Sequence, residues 1–123
     1  MDIQIGDIVT RDELSEYVGA GGDGCFLHSQ NMVVAIAMNP EMNPDAPEVL
    51  LVGKGPRKEL YAAALLKSGD FVPTFIKRAP HQWEYMGDFK AEKIDQDAEV
   101  IDKHAKRSDR NDIWGVLSLV AQP

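Results

Sequence analysis

Cys25 and His28 are the one cysteine and histidine that stand close together in the sequence, and three residues apart they could act as nucleophile and base. A nucleophilic thiol also needs a lowered pKa and a group that stabilises an oxyanion, and no neighbouring motif predicts either. A half-buried structural cysteine at the start of a strand is the favoured interpretation. A small hydrolase built on this pair is therefore the least favoured of three hypotheses.

Other catalytic arrangements find no support in the spacing of the residues. His28, His81 and His104 are far apart, and no pair of them has the spacing of metal ligands. The sequence contains no Gly-x-Ser-x-Gly elbow, no phosphate-binding P-loop and no dinucleotide fingerprint. We expect no catalytic residues, no metal, no cofactor, and a protein that is not an enzyme.

A first basic segment surrounds the predicted start of a helix, where Lys54, Arg57 and Lys58 follow or flank Gly55. Helix starts favour acids because the helix dipole is positive there, so three cations oppose the helix. Free backbone N–H groups, a glycine turn and added positive charge are typical of a phosphate site. A solvated charged turn, partly neutralised by Glu59, is an equally favoured interpretation.

A second basic segment, with Lys77, Arg78 and His81, comes just before Trp83. Cations beside aromatic residues are typical of proteins that bind single strands or flipped bases. The alternative is an exposed loop followed by aromatic residues of the core. Core packing is the default role of the aromatics, and Gly87 leaves a gap among them where a backbone or planar ligand could approach.

The charge of the chain is negative and unevenly distributed. The formal net charge is −7, and residues 1–50 contain Arg11 as their one lysine or arginine against nine acids. Residues 51–93 contain eight such cations against five acids. We therefore do not expect the protein to coat DNA indiscriminately, because an acidic protein is repelled by DNA at long range. A local basic face can still contact phosphates.

The length of 123 residues predicts a single domain over residues 1–123. No apolar run approaches the roughly 20 residues that span a bilayer, and the first residues do not resemble a signal peptide, so no membrane association is expected. The single cysteine predicts a reducing, cytoplasmic location.

Helix signals are clear in two places. Thr10 and Glu13 have the spacing of a capping box and predict a short helix that ends at Gly19, before a glycine-rich loop over residues 19–24. Pro56 suits the first position of a second helix that ends at Gly69. Its predicted apolar stripe consists of Leu60, Tyr61, Ala64 and Leu65.

Strands are predicted at residues 32–38, 48–52, 71–77, 83–92 and 113–120. Pro73 predicts that the strand at residues 71–77 lies at an edge of the sheet or contains a bulge. Residues 77–81 are predicted to form a polar loop, and residues 95–107 a third helix. In residues 83–92, Trp83, Tyr85, Gly87, Phe89 and Ala91 are predicted to share one face, and Glu84, Met86, Asp88, Lys90 and Glu92 the other. The expected fold is α+β, a small bent mixed sheet or partly open β-barrel with two or three helices.

These segments resemble the SRA (SET- and RING-associated) domains, and they look closest to those fused to HNH nucleases in bacterial modification-dependent restriction enzymes. The resemblance covers roughly residues 5–120. It rests on residues 6–14, the glycine loop to Gly24, the strand that ends Val52-Gly53-Lys54-Gly55, the strand at Phe75, residues 83–89 and the strand at Ile113.

The resemblance implies a bent barrel related to the PUA fold that binds DNA with a modified cytosine flipped into an aromatic pocket. Gly53 and Gly55 would then form a loop near the DNA backbone, and Tyr85 with Trp83 would lie on the strand beside the pocket. Where family members often continue with Gly-Asp-Gln, this sequence has Pro56-Arg57-Lys58.

The sequence therefore predicts a nucleic-acid-binding module that reads a modified or flipped base in DNA. A protein-interaction or regulatory module on the same barrel, without a DNA site, is the alternative, because the first 50 residues are acidic and Trp114 stands in an apolar strand. The predicted nucleic-acid-binding residues are Lys54, Gly55, Arg57, Lys58, Lys77, Arg78, His81, Trp83 and Tyr85.

Overall fold

A computed structural model describes residues 2–21 and 24–123. Within these residues the chain forms three helices and a seven-stranded mixed sheet that curls into a half-barrel. The predicted α+β fold with a partly open barrel is confirmed. Gly22 and Asp23 of the predicted glycine loop lie outside the described residues, and no helix in the described part of the chain could span a membrane.

The elements follow one another as β1 (Ile8–Val9), α1 (Arg11–Val18), β2 (Phe26–Ser29), β3 (Met32–Met38), β4 (Val49–Gly53), α2 (Pro56–Ser68), β5 (Val72–Ala79), β6 (Gln82–Asp95), α3 (Ala98–Ser108) and β7 (Ile113–Ala121). The strand order is β2-β3-β5-β6-β7-β4, with β1 paired to β6. Only the β3–β5 pair is parallel among the described strands. The outermost strands β2 and β4 are not paired with each other, so the barrel stays open between them.

The helices begin and end where local chemistry predicts. Thr10 and Glu13 form the capping box of α1, and α1 ends at Gly19. Pro56 is the first residue of α2, which ends at Gly69, and the Glu59 carboxylate accepts a hydrogen bond from the Gly55 N–H. The α3 N-cap is Asp97, whose side chain accepts from the Glu99 N–H.

The sheet buries apolar side chains on both faces. On β3, Ile36 and Met38 belong to the cluster that packs with Ala62 and Leu65 of α2. The alternating residues Ala35 and Ala37 belong to a second cluster with Leu14 of α1 and Phe75 of β5. A third cluster, formed by Leu51, Ile113 and Val116, packs against α3. Helix α2 therefore covers one face of β3 and α1 covers the other.

The prediction that Trp83 and Phe89 share one face is wrong. Trp83 and Tyr85 pack with Phe75 in the α1-side cluster, whereas Phe89 and Ala91 lie in the α2-side cluster. The cause is a β-bulge, because Thr74 pairs with Gly87 and Phe75 with Tyr85, so that the register skips Met86. Gly87 has a φ of 102°, a backbone conformation that favours glycine.

Three smaller expectations are also corrected. Lys77 and Arg78 belong to β5 rather than to a loop, because the hairpin turn is only two residues long. Leu60 is 60% exposed, and Ala62 takes its place in the core. Of the two alternatives for Pro73, the edge is wrong because β5 lies inside the sheet, whereas a register shift does occur nearby, between Thr74 and Phe75. Pro73 is tolerated because pairing with β3 begins one residue later, at Thr74.

Candidate functional site

A pocket of about 310 Å³ opens on the α1 side of the sheet, where β3 and β4 both end. This volume is at the lower end of the roughly 300–1,000 Å³ typical of small-molecule sites. The lining residues come from the segments before β2 and after β3, from β3, β4, α2, β5 and β6, and from the segment before β7. They are Gly24, Cys25, Ala37, Asn39, Met42, Asn43, Leu51, Gly53, Lys58, Lys77, Trp83 and Arg110.

Three cations line this pocket in a chain whose net charge is −7. A Cβ atom placed on Gly53 would lie 3.4 Å from Nζ of Lys58 and 3.3 Å from Nη2 of Arg110. The absence of a side chain at Gly53 is what allows both cations to approach this point. Lys77 reaches the pocket from β5, whose alternation gives it the same face as Phe75.

Arg110 is held in place by four hydrogen bonds. Its Nε and Nη2 donate to the two carboxylate oxygens of Asp112, at 2.9 and 3.0 Å. Its Nη1 donates to the carbonyl oxygens of Met42 and Leu51, at 3.1 and 3.2 Å. These bonds fasten the segment between β3 and β4 to the pocket, and the Arg110 guanidinium lowers the pKa of Asp112 below its ordinary value.

Trp83 supplies the aromatic wall of the pocket. The guanidinium of Arg11 lies 4.8 Å from the centre of its ring, within the distance of a cation–π contact. The same guanidinium donates a hydrogen bond to the Gly24 carbonyl oxygen at 2.9 Å. Arg11 therefore links α1, the segment before β2 and Trp83 at one side of the pocket.

Cys25 lines the pocket, and burial raises the pKa of its thiol, although a backbone hydrogen bond and the charges of Lys58, Arg110 and Arg11 act in the opposite direction. The His28 ring stacks on Tyr61, with ring centroids 4.3 Å apart. Within the described part of the chain, Cys25 and His28 share no hydrogen bond. The geometry gives the thiol neither a base nor a lowered pKa.

The structure brings together three of the predicted site residues, Lys58, Lys77 and Trp83. Lys54, Gly55 and Arg57 lie at the start of α2 and do not line the pocket. The Gly55 N–H is occupied by Glu59, and the Lys54 N–H donates to the Asp112 carbonyl oxygen at 2.7 Å. The predicted phosphate site at this helix start is thus already filled in part by the chain's own acceptors.

The remaining predicted residues lie away from the pocket. Arg78 points to the opposite face from Lys77 and forms an ion pair with Glu84 at 2.8 Å. His81 occupies the exposed hairpin turn, with a φ of 62°. The Tyr85 hydroxyl donates a hydrogen bond to Asp88 at 2.5 Å. The pKa of Tyr85 is raised, mainly by burial and in addition by the Asp88 carboxylate.

Arg110, Asn39 and Met42 are pocket residues that the sequence did not reveal. Arg110 stands in the polar segment Ser108-Asp109-Arg110-Asn111-Asp112, which is typical of a solvated turn. Its partners Met42 and Leu51 are 68 and 59 residues away. Without a local motif, only the fold brings these residues together.

No group of three or more metal-ligating side chains occurs within residues 2–21 and 24–123. Comparison of the chain with family models, with curated proteins and with solved structures gave no match.

Proposed function

We propose that the chain binds nucleic acid and accepts a base turned out of its strand in the pocket beside Trp83. The observation that carries this proposal is the convergence of Lys58, Lys77 and Arg110 on a pocket with a tryptophan wall, in an otherwise acidic chain. An extruded base needs an aromatic or apolar surface to stack on, and its backbone needs cations nearby.

The surroundings of the pocket support a strand entering from outside. Lys54 and Arg57 are exposed at the start of α2, next to the pocket residues Gly53 and Lys58. They extend the positive charge beyond the pocket. The resemblance to SRA domains points to the same kind of ligand. The acidic remainder of the chain would weaken contacts made elsewhere, so that binding depends on this one surface.

Gel-shift titration with single strands and with unmodified and cytosine-modified duplexes tests the proposal. We expect binding at low salt, and the Lys58→Met variant should weaken it and reduce its salt dependence by about one counterion. Lys67→Met is the matched control, since Lys67 is an exposed lysine in the last turn of the same helix.

Absence of binding to every nucleic acid at low salt would overturn the proposal. An equal loss of affinity in Lys58→Met and Lys67→Met would also count against it, because it would show that only the overall charge matters. The protein-interaction module remains a prediction. The exposed apolar side chains Met32, Met42 and Leu60 belong to different elements or loops, so we base no second proposal on them.

A further inference from the structure

We infer that the ligand group seated among Lys58, Lys77 and Arg110 carries a negative charge, either a carboxylate on an extruded base or the phosphate of a nucleotide. This inference rests on the proposed function, which places a base against Trp83. It adds the chemical class of the ligand group that the cations contact. It follows from the hydrogen-bonding capacity of the pocket, where Lys58, Lys77 and Arg110 supply donors. The carboxylate nearest Gly53, that of Asp112, already accepts hydrogen bonds from Arg110 through both oxygens.

The acceptor atoms of the polar side chains that line the pocket are already in use. Asn43 Oδ1 accepts from the Leu51 N–H at 2.8 Å, and Asn39 Oδ1 accepts from the Glu41 N–H at 3.0 Å. The carbonyl oxygens of Met42 and Leu51 accept from Arg110. Each of these oxygens already accepts at least one hydrogen bond, so a ligand that presents donors here would compete for the remaining lone pairs.

By contrast, several hydrogen-bond donors of the pocket have no acceptor within the described residues. A guanidinium has five N–H groups, and four hydrogen bonds from Arg110 leave one on Nη2, the nitrogen nearest Gly53. The ammonium groups of Lys58 and Lys77 donate no hydrogen bond within the described residues. The amide nitrogen of Asn39 likewise has no acceptor in this part of the chain.

The charge at this point is positive after the nearby acids are counted. Asp112 is occupied by Arg110 through both carboxylate oxygens, and Glu59 turns back to the Gly55 N–H. Lys58 and Lys77 therefore remain without an ion-pair partner among the described residues. An anion held here would accept charge-assisted hydrogen bonds, and the Arg110 donor among them is already held in place by its own four bonds.

Residue 53 has to be small, because a Cβ atom there would lie only 2.9 Å from Oδ2 of Asp112, so the anion subsite lies farther into the pocket, beside the cations. Gly53 is buried, and Nζ of Lys58 and Nη2 of Arg110 both approach the position that a Cβ would take. Trp83 lines the same pocket and offers a ring for the planar part of the ligand. The site thus combines an anion subsite with an aromatic wall.

Two sources can supply this chemistry, and matched probes separate them. One set is a DNA duplex with a single 5-carboxycytosine, the same duplex with 5-methylcytosine, and the unmodified duplex. The other set is free CMP and cytidine. Binding is followed by anisotropy of labelled DNA and by Trp83 fluorescence in a Trp114→Phe background, which leaves Trp83 as the one tryptophan.

We expect the carboxyl duplex to bind at least about tenfold more tightly than the methyl duplex and to quench Trp83. Lys58→Met should abolish this preference, because it removes the ammonium group but keeps a side chain of similar length. Lys67→Met should retain it. If the phosphate of a free nucleotide is the natural anion, CMP will quench Trp83 and cytidine will not.

The outcomes separate this inference from the proposed function. Equal binding of the carboxyl and methyl duplexes, together with no discrimination between CMP and cytidine, overturns the anion subsite and leaves nucleic-acid binding intact. Quenching by CMP, without binding of any duplex here or of any single strand in the gel-shift titration, supports the anion subsite and overturns nucleic-acid binding. If none of these probes and no single strand binds, both proposals fail.

Discussion

Gly53 lies against the carboxylate of Asp112, so closely that a Cβ atom on residue 53 would be only 2.9 Å from Oδ2 of Asp112. The carboxylate cannot simply turn away, because both of its oxygens accept hydrogen bonds from Arg110. Arg110 in turn holds the carbonyl oxygens of Met42 and Leu51. The size of residue 53 is thereby coupled to the shape of the whole pocket.

Gly53→Ala should displace the Arg110–Asp112 pair. We expect a loss of about 1–3 kcal/mol in the free energy of unfolding, the usual range for overpacking, together with weaker ligand binding. Urea unfolding and the binding titration measure the two effects. Gly21→Ala is the control, because a Cβ there would meet no atom within 4 Å. Equal behaviour of the two variants would contradict the coupling.

Arg110→Met should destabilise the protein far more than Arg107→Met. Arg110 is 11% exposed and bonds to a carboxylate and two carbonyl oxygens, so its loss should cost about 2–3 kcal/mol. Arg107 is 56% exposed, and solvent screens its ion pair with Asp45, so its loss should have a much smaller effect. Urea unfolding of both variants tests this order, and similar losses would show that Arg110 has no special structural role.

Acid should weaken the fold through Asp112. Arg110 lowers the folded-state pKa of this carboxyl below its ordinary value of 3.8, so its stabilising contribution is present above that value and is lost as the pH falls through the folded pKa. The difference in unfolding free energy between the native chain and Asp112→Asn should therefore shrink below about pH 4. A difference that stays constant from neutral pH to pH 2 would exclude this linkage.

Tyr85→Phe should affect stability but not ligand binding. The Tyr85 hydroxyl donates to Asp88 and Tyr85 does not line the pocket, so the loss should be about 0.5–1.5 kcal/mol with unchanged affinity. Because the folded pKa of Tyr85 is raised, this contribution is present below the ordinary value of 10.0 and is lost as the pH rises above it. Trp83→Leu, in contrast, should impair binding, and a comparable loss in Tyr85→Phe would place Tyr85 in the site.

Local patterns in the sequence predicted most of the elements, because their signals are contained in a few neighbouring residues. The Thr10–Glu13 capping box, Pro56 at the first position of α2 and the apolar run of β3 all lie where the sequence placed them. The sequence also predicts Lys58, Lys77 and Trp83 as site residues, and all three line one pocket.

Two features could not be predicted, for different physical reasons. The alternation of residues 83–92 is uninterrupted in the sequence, so the bulge at Met86 becomes visible only from the register with β5. The role of Arg110 depends on carbonyl oxygens from distant segments, and backbone acceptors have no sequence signature.

The bulge at Met86 also explains why Tyr85 and Asp88, three residues apart on one strand, meet on the same side of the sheet. Met86 has no partner on β5, so the alternation of side chains shifts by one residue in the middle of β6. Residues at odd-numbered positions before and after Met86 therefore point to opposite faces of the sheet. Because Phe75 pairs with Tyr85 and Thr74 with Gly87, deleting Met86 would remove the bulge and leave Trp83 and Phe89 on the faces they now occupy. The two ends of β6 therefore stabilise different parts of the fold, since Trp83 packs in the cluster with Phe75 and Leu14 of α1, and Phe89 packs in the cluster with Ala62 and Leu65 of α2.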